Sequence, residues 1–185
     1  MSEELLIRHC SPTLAALKPG NLFSCNTNDM DSVQQIVEAW NLLLNDKGVQ
    51  VEVLYKTANR VLIYVYRPAL LERILGKREA KALLVGYGYP LDMEGESITH
   101  LKYRLEDEKH FPHEIGVFLG YPIDDVRLFI ENQGCNGKYD GIWKVYGNEQ
   151  KAKQRFAQYK KCTEVFLQMY AKGKTLDTLT VRKAS

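Results

Sequence analysis

Val61-Leu62-Ile63-Tyr64-Val65-Tyr66 is apolar at every position, and a β-rich run that is apolar on both faces belongs inside a sheet rather than at its margin. The rest of the chain must therefore supply neighbours for it. Upstream, Val49, Val51, Val53 and Tyr55 alternate with Gln50, Glu52 and Lys56, the period of a half-exposed strand, and Thr57-Ala58-Asn59 joins the two runs into a hairpin. Asn21 to Cys25 reads as the first strand.

Helix signals surround these strands. Ser11 followed by Pro12 has the form of an N-cap and first turn, and Lys18-Pro19-Gly20 closes that short helix. Asp31 with Gln34 resembles a capping box, and Val33, Ile36, Val37, Trp40, Leu43 and Leu44 mark one helical face up to Gly48. The middle of the chain is helical. Helices are expected from Pro68, from Glu79 to Val85, from near Glu94 through Ile98, Leu101 and Leu105, from Pro112 to Gly120, and from Asp124 or Asp125 to Gly134. Gly141 to Gly147 reads as a last short strand. A long amphipathic helix follows, with Ala152, Phe156, Tyr159, Thr163, Phe166, Leu167 and Tyr170 on its apolar side. The predicted fold class is α+β, one domain over residues 1–185. Its core is a small mixed four-stranded sheet in ferredoxin-like split βαβ order, with several inserted helices and a long C-terminal helix.

Composition removes several function classes. Lys and Arg total 25 against 23 Asp and Glu, too even a balance for the strong positive field of non-specific nucleic-acid binding. The helix-turn-helix spacing between Pro112 and Asn132 fails because Asp124, Asp125 and Glu131 would face phosphates, and the lysines at 151, 153, 160 and 161 read as a solvated face. No run is long and apolar enough to cross a bilayer, and the start, Met1-Ser2-Glu3-Glu4, is acidic where a signal peptide is basic. A cytoplasmic protein without a membrane partner is expected. Gly86-Tyr87-Gly88-Tyr89-Pro90 lacks the third glycine and follows a helix, so it is no dinucleotide fingerprint.

Four scattered cysteines with no CxxC pair are expected to be reduced thiols. Cys10, placed just before the expected helix start at Ser11 and beside His9, would favour thiolate, the state of a nucleophile or soft metal ligand. His113 is a candidate general base or ligand, while Glu114 beside it suits a helix N-terminus. The candidate catalytic residues are thus Cys10, His9 and His113. Cys10, Cys25 and His113 are candidate metal ligands, with Cys162 a further sulfur. Aromatic residues beside glycine turns, including Tyr87, Tyr89, Tyr121, Trp143 and Tyr146, suit a planar ligand such as a flavin or porphyrin. Lys18, Glu114, Tyr121, Trp143, Lys144 and Tyr146 are the candidate ligand-binding residues.

His9-Cys10-Ser11-Pro12-Thr13-Leu14-Ala15, Asn21-Leu22-Phe23, Phe111 to Pro122 and Trp143-Lys144-Val145-Tyr146-Gly147 together resemble an uncharacterised domain-of-unknown-function family, number 3793, from anaerobic, mainly clostridial, bacteria. The resemblance spans nearly the whole chain. It brings no activity, but implies a link to iron or heme handling and a flavodoxin-like protein as partner. The expected function is a small-ligand- or metal-binding protein of anaerobic iron or heme metabolism, with heme, iron or flavin as the cofactors to consider. The alternatives are a thiol-dependent enzyme using Cys10 with a histidine base, and a non-catalytic interaction module.

Overall fold

The computed structural model describes residues 2–90, 95–107 and 111–182, and it is α+β. The chain divides into two compact units. One comprises Met1–Leu70 with Tyr159–Ser185, the other Leu71–Gln158.

In the first unit the strands are β1 (Gly20–Asn26), β2 (Gln50–Lys56) and β3 (Arg60–Tyr66). Their order is β1-β3-β2 with both pairings antiparallel, so the doubly apolar run does occupy the centre. β1 and β2 consequently run the same way on either side of it, connected by helix α2 (Met30–Leu44). One sheet face, with Phe23, Val51, Val61, Ile63 and Val65, packs into a core with Leu6, Ile7, Cys10 and Leu14 of helix α1 (Glu3–Leu14) and Val33, Val37, Trp40 and Leu44 of α2. The other face carries Tyr64 and Tyr66, stacked at 4.8 Å, and the Tyr66 hydroxyl donates to Glu52 Oε1 (2.8 Å) while lying 2.5 Å from Gln50 Oε1. Asn41 of α2 bonds both backbone groups of Val51 at 2.8 Å, satisfying part of the open edge of β2.

Two helix starts differ from the sequence pattern. α1 begins at Glu3, capped by Ser2, and Ser11 and Pro12 lie inside it, because the upstream Leu5, Leu6 and Ile7 provide apolar surface that only a helical continuation buries. α2 is capped by Asp29, whose Oδ1 accepts from Ser32 N at 2.9 Å, rather than by Asp31.

The larger correction concerns the expected fourth strand, which does not join the three-stranded sheet. Lys144–Val145 (β5) instead pairs with Tyr139–Asp140 (β4) in the second unit. The cause is Asp125, a buried carboxylate on helix α7 (Ile123–Glu131). It accepts from Trp143 Nε1 (2.8 Å) and from the backbone N–H groups of Tyr146 (2.9 Å) and Gly147 (2.7 Å). At Gly141 a Cβ would stand 2.1 Å from Phe156 Cε2, so any larger residue there would displace that ring.

The other helices of this region are α3 (Pro68–Leu75), α4 (Arg78–Val85), α5 (Glu96–Leu105) and α6 (Ile115–Phe118), while Glu94 lies outside the described residues. α6 is a single turn, so His113 and Glu114 precede it rather than sit inside a Pro112–Gly120 helix. The chain closes with α8 (Glu149–Ala171) and α9 (Leu176–Leu179).

Arg67, 2% exposed, ties the first unit together. It donates to the carbonyls of Thr13 (2.6 Å), Leu14 (2.7 Å), Lys47 (2.9 Å) and Val181 (2.7 Å). Thr13 O and Leu14 O also accept from Ala16 N and Val181 N, both at 3.0 Å, so Arg67→Met takes the donor from Lys47 O and Val181 O in particular. At about 1–3 kcal/mol for each acceptor left without one, we expect the first unit to lose about 2 kcal/mol or more. The urea midpoint followed by Trp40 fluorescence in a Trp143→Phe background measures this, and an unshifted midpoint contradicts it.

Candidate functional site

Three of the four cysteines face or border one hydrophobic core. Cys10 belongs to it and is fully buried; Cys25 on β1 and Cys162 on α8 are half-buried against it. Cys10 lies in the third turn of α1, not at a helix N-terminus, so the dipole that would favour its thiolate is absent. Burial instead pushes its thiol far above the usual range, and nearby Lys18 only partly opposes this. Burial also raises Cys25, and raises Cys162 to about 11. Cys135 is exposed. His9 is exposed and lies parallel to the Phe23 ring at 5.4 Å, its pKa lowered by partial burial and then by Arg8.

Lys18 follows α1 on a turn in which its backbone N–H and that of Leu17 both donate to Pro12 O. It is 3% exposed, and burial pulls its ammonium down to about 8, with Cys10 opposing. The folded chain therefore binds fewer protons than the unfolded chain between about pH 8 and the ordinary lysine range, and this contribution to stability grows as pH rises through that window.

In the second unit His113 is exposed, edge-on to Phe129 at 5.0 Å and 5.7 Å from Phe111. Among the described residues no group of three or more His, Cys, Asp and Glu side chains is placed to hold a metal ion. Of the expected ligands, Cys10 and Cys25 belong to the first unit and His113 to the second. Tyr121, Trp143, Lys144 and Tyr146 are brought together, but around the Asp125 clamp. Trp143 stacks on Tyr121 at 5.0 Å and meets Phe156 edge-on at 4.4 Å; Lys144 pairs with Asp140 at 3.1 Å; Tyr146 donates to Cys135 O at 2.7 Å.

Glu114 has a different setting. Its side chain is 1% exposed, and Oε1 accepts from Arg104 Nε at 3.0 Å and from the Tyr89 hydroxyl at 3.3 Å. The carboxylate raises Arg104 through that bond, and burial followed by the Glu114 charge raises the Tyr89 phenol well beyond its normal range. Arg104 keeps 24% of its side chain exposed and lies over the Tyr87 ring, 5.4 Å from its centroid. His100 Nε2 is 2.9 Å from Tyr87 O, which requires the Nε2–H form as donor, and its ring meets Tyr89 edge-on at 4.4 Å. Tyr103, 69% exposed, is 6.0 Å from His100.

His100, Tyr103 and Arg104 share one face of α5 at i, i+3 and i+4, opposite the buried Ile98, Leu101 and Leu105. That spacing is visible in the sequence and is the signal that sequence reasoning passed over. Gly88, at φ +79°, completes the loop against His100. The result is a buried acid holding a partly exposed cation among aromatic rings, an arrangement that can bind and orient a ligand.

The family described as "Protein of unknown function (DUF3793)" matches residues 6–180, and the chain belongs to it. No curated protein and no solved structure matches the chain. No helix among the described residues is long and apolar enough to cross a membrane.

Two outcomes test these environments. Native alkylation with iodoacetamide near pH 8, read by peptide mass spectrometry, should modify Cys135 first and Cys10 only on unfolding; equal rates would refute the burial of the Cys10 thiol. The urea midpoint of Lys18→Met relative to the wild type should fall as pH rises from about 7 toward 10, because the wild-type chain gains stability as its buried amine loses its proton. A difference independent of pH would contradict the shifted Lys18.

Proposed function

We propose that this chain, as a member of a family of unknown function, is a small-ligand-binding protein. Its site is the cluster of the second unit: Tyr87, His100, Tyr103 and Arg104, supported by Tyr89 and Glu114. The observation that carries this reading is the Glu114–Arg104 pair, with the acid 1% and the cation 24% exposed. Removing a carboxylate from water costs several kcal/mol, and apolar side chains of similar volume hold elements together at least as well. A buried acid gains purpose when the cation it fixes has its own task, since binding groups work best when their rotamers are locked from behind.

The rings around that cation favour a planar ligand. Tyr87 and His100 are half-buried and Tyr103 is mostly exposed, giving aromatic surface beside a positive group. Flavins and porphyrins have this shape, and the family resemblance implies heme or iron handling, so FMN and hemin are the ligands to test. This reading gives Cys10 a place in the core rather than a thiolate role, in keeping with its burial.

Titration of the purified full chain with FMN and with hemin, followed by ligand absorption and Trp143 fluorescence in a Trp40→Phe background, tests the proposal. We expect saturable one-to-one binding of at least one of them with Kd of about 10 μM or tighter, about −7 kcal/mol. Tyr87→Ala should weaken it about tenfold, about 1.4 kcal/mol. Absence of saturation with both ligands, or binding indifferent to Tyr87→Ala, overturns the assignment.

A further inference from the structure

We infer that the group recognised by this site is an acid carried by the ligand, a carboxylate or phosphate monoester received on the terminal nitrogens of Arg104. The inference rests on the ligand-binding reading above and specifies which part of the ligand is read.

A guanidinium offers five N–H donors in a rigid fork, and the bond that fixes Arg104 employs Nε, at 3.0 Å from Glu114 Oε1. The edge formed by Nη1 and Nη2 is not needed to hold the side chain. That edge matches two oxygens of one carboxylate or phosphoryl group through parallel charge-assisted bonds. The Tyr87 ring beneath the guanidinium restricts how the fork can swing. His100 is turned by its bond to Tyr87 O, so the two polar groups on this face of α5 are both oriented before a ligand arrives.

The charge balance explains why a bare anion would not suffice. Glu114 already compensates Arg104, and Asp107 adds further negative potential at that cation. An acid entering the fork therefore meets a locus with no surplus of positive charge and gains mainly from hydrogen-bond geometry. The remaining affinity must come from apolar contact with Tyr87, His100 and Tyr103. A planar body with an acid at its edge satisfies both requirements, whereas inorganic phosphate satisfies one.

FMN and riboflavin share one ring system and differ at the phosphate, so their comparison isolates the acid. We expect the wild-type chain to bind FMN at least tenfold more tightly than riboflavin, about 1.4 kcal/mol. Arg104→Lys should abolish most of that preference, because an ammonium keeps the charge and loses the fork. The thermal midpoint of the variant confirms that it folds. If hemin is the ligand that binds, hemin and its dimethyl ester replace the flavin pair under the same expectation. Equal affinity of wild-type protein for the acid and its uncharged counterpart overturns the inference and leaves the binding reading intact, whereas no binding by any of the four removes both. Displacement of FMN by inorganic phosphate at concentrations comparable to FMN itself would also overturn it, since the site would then read the anion without the ring.

Discussion

The first unit depends on a cation enclosed among carbonyl oxygens. Arg67 follows β3 directly, so its backbone is fixed by the central strand, while its guanidinium donates to the end of α1, the 3-10 turn at Asn45–Lys47 and the C-terminal segment at Val181. Carbonyls at a helix C-terminus are the natural counterpart of a positive charge: they have no further helical N–H to accept from, and the helix dipole makes that end negative. Three segments far apart in sequence thereby meet one side chain. Its own N–H also donates to Pro19 O at 2.8 Å, joining the entry of β1 to the exit of β3.

The second unit applies the converse arrangement. Asp125 collects an indole N–H and two backbone N–H groups, a carboxylate among donors where Arg67 is a cation among acceptors. A pairing of two residues per strand has little stability of its own, so the β4–β5 hairpin is held by what its backbone bonds to. Gly116 lets α6 approach α7, since a Cβ there would stand 2.7 Å from Val126 Cγ2. Gly116 in the Phe111–Pro122 block, and Trp143, Tyr146 and Gly147 in the Trp143–Gly147 block, thus each have a structural role.

What periodicity encodes was legible in the sequence. The central strand, the hairpin, the amphipathic α2 and the long C-terminal helix follow from apolar spacing, which senses only whether each residue faces a core. The fourth strand was misplaced because a short β run does not state its partner; the deciding carboxylate lies eighteen positions before Trp143. The start of α1 was missed because Ser11 and Pro12 carry strong local signals, which burial of Leu6 and Ile7 overrides. Glu114 could be read as a helix-start acid because first-turn carboxylates are common; only the fold brings Arg104 and Tyr89 to it. His100, Tyr103 and Arg104 were legible in principle. Their spacing marks a shared face, but nothing in spacing distinguishes a solvated face from one ordered by a buried acid.

That distinction can be drawn by comparing three arginines in this chain. Arg127 bonds Asp124 and Glu131 on its own helix with all three side chains well exposed, an arrangement worth little and specifying nothing. Arg67 is enclosed and places its donors on four carbonyls, so its chemistry is spent on the fold. Arg104 stands between these cases. It is held at one nitrogen by an acid removed from water and backed by a phenol ring, yet a quarter of it meets solvent. Fixing a cation while leaving it accessible reduces the rotamer entropy a ligand must overcome, and that advantage is realised only when something binds. Among these three, Arg104 is the one whose surroundings are better explained by recognition than by stability.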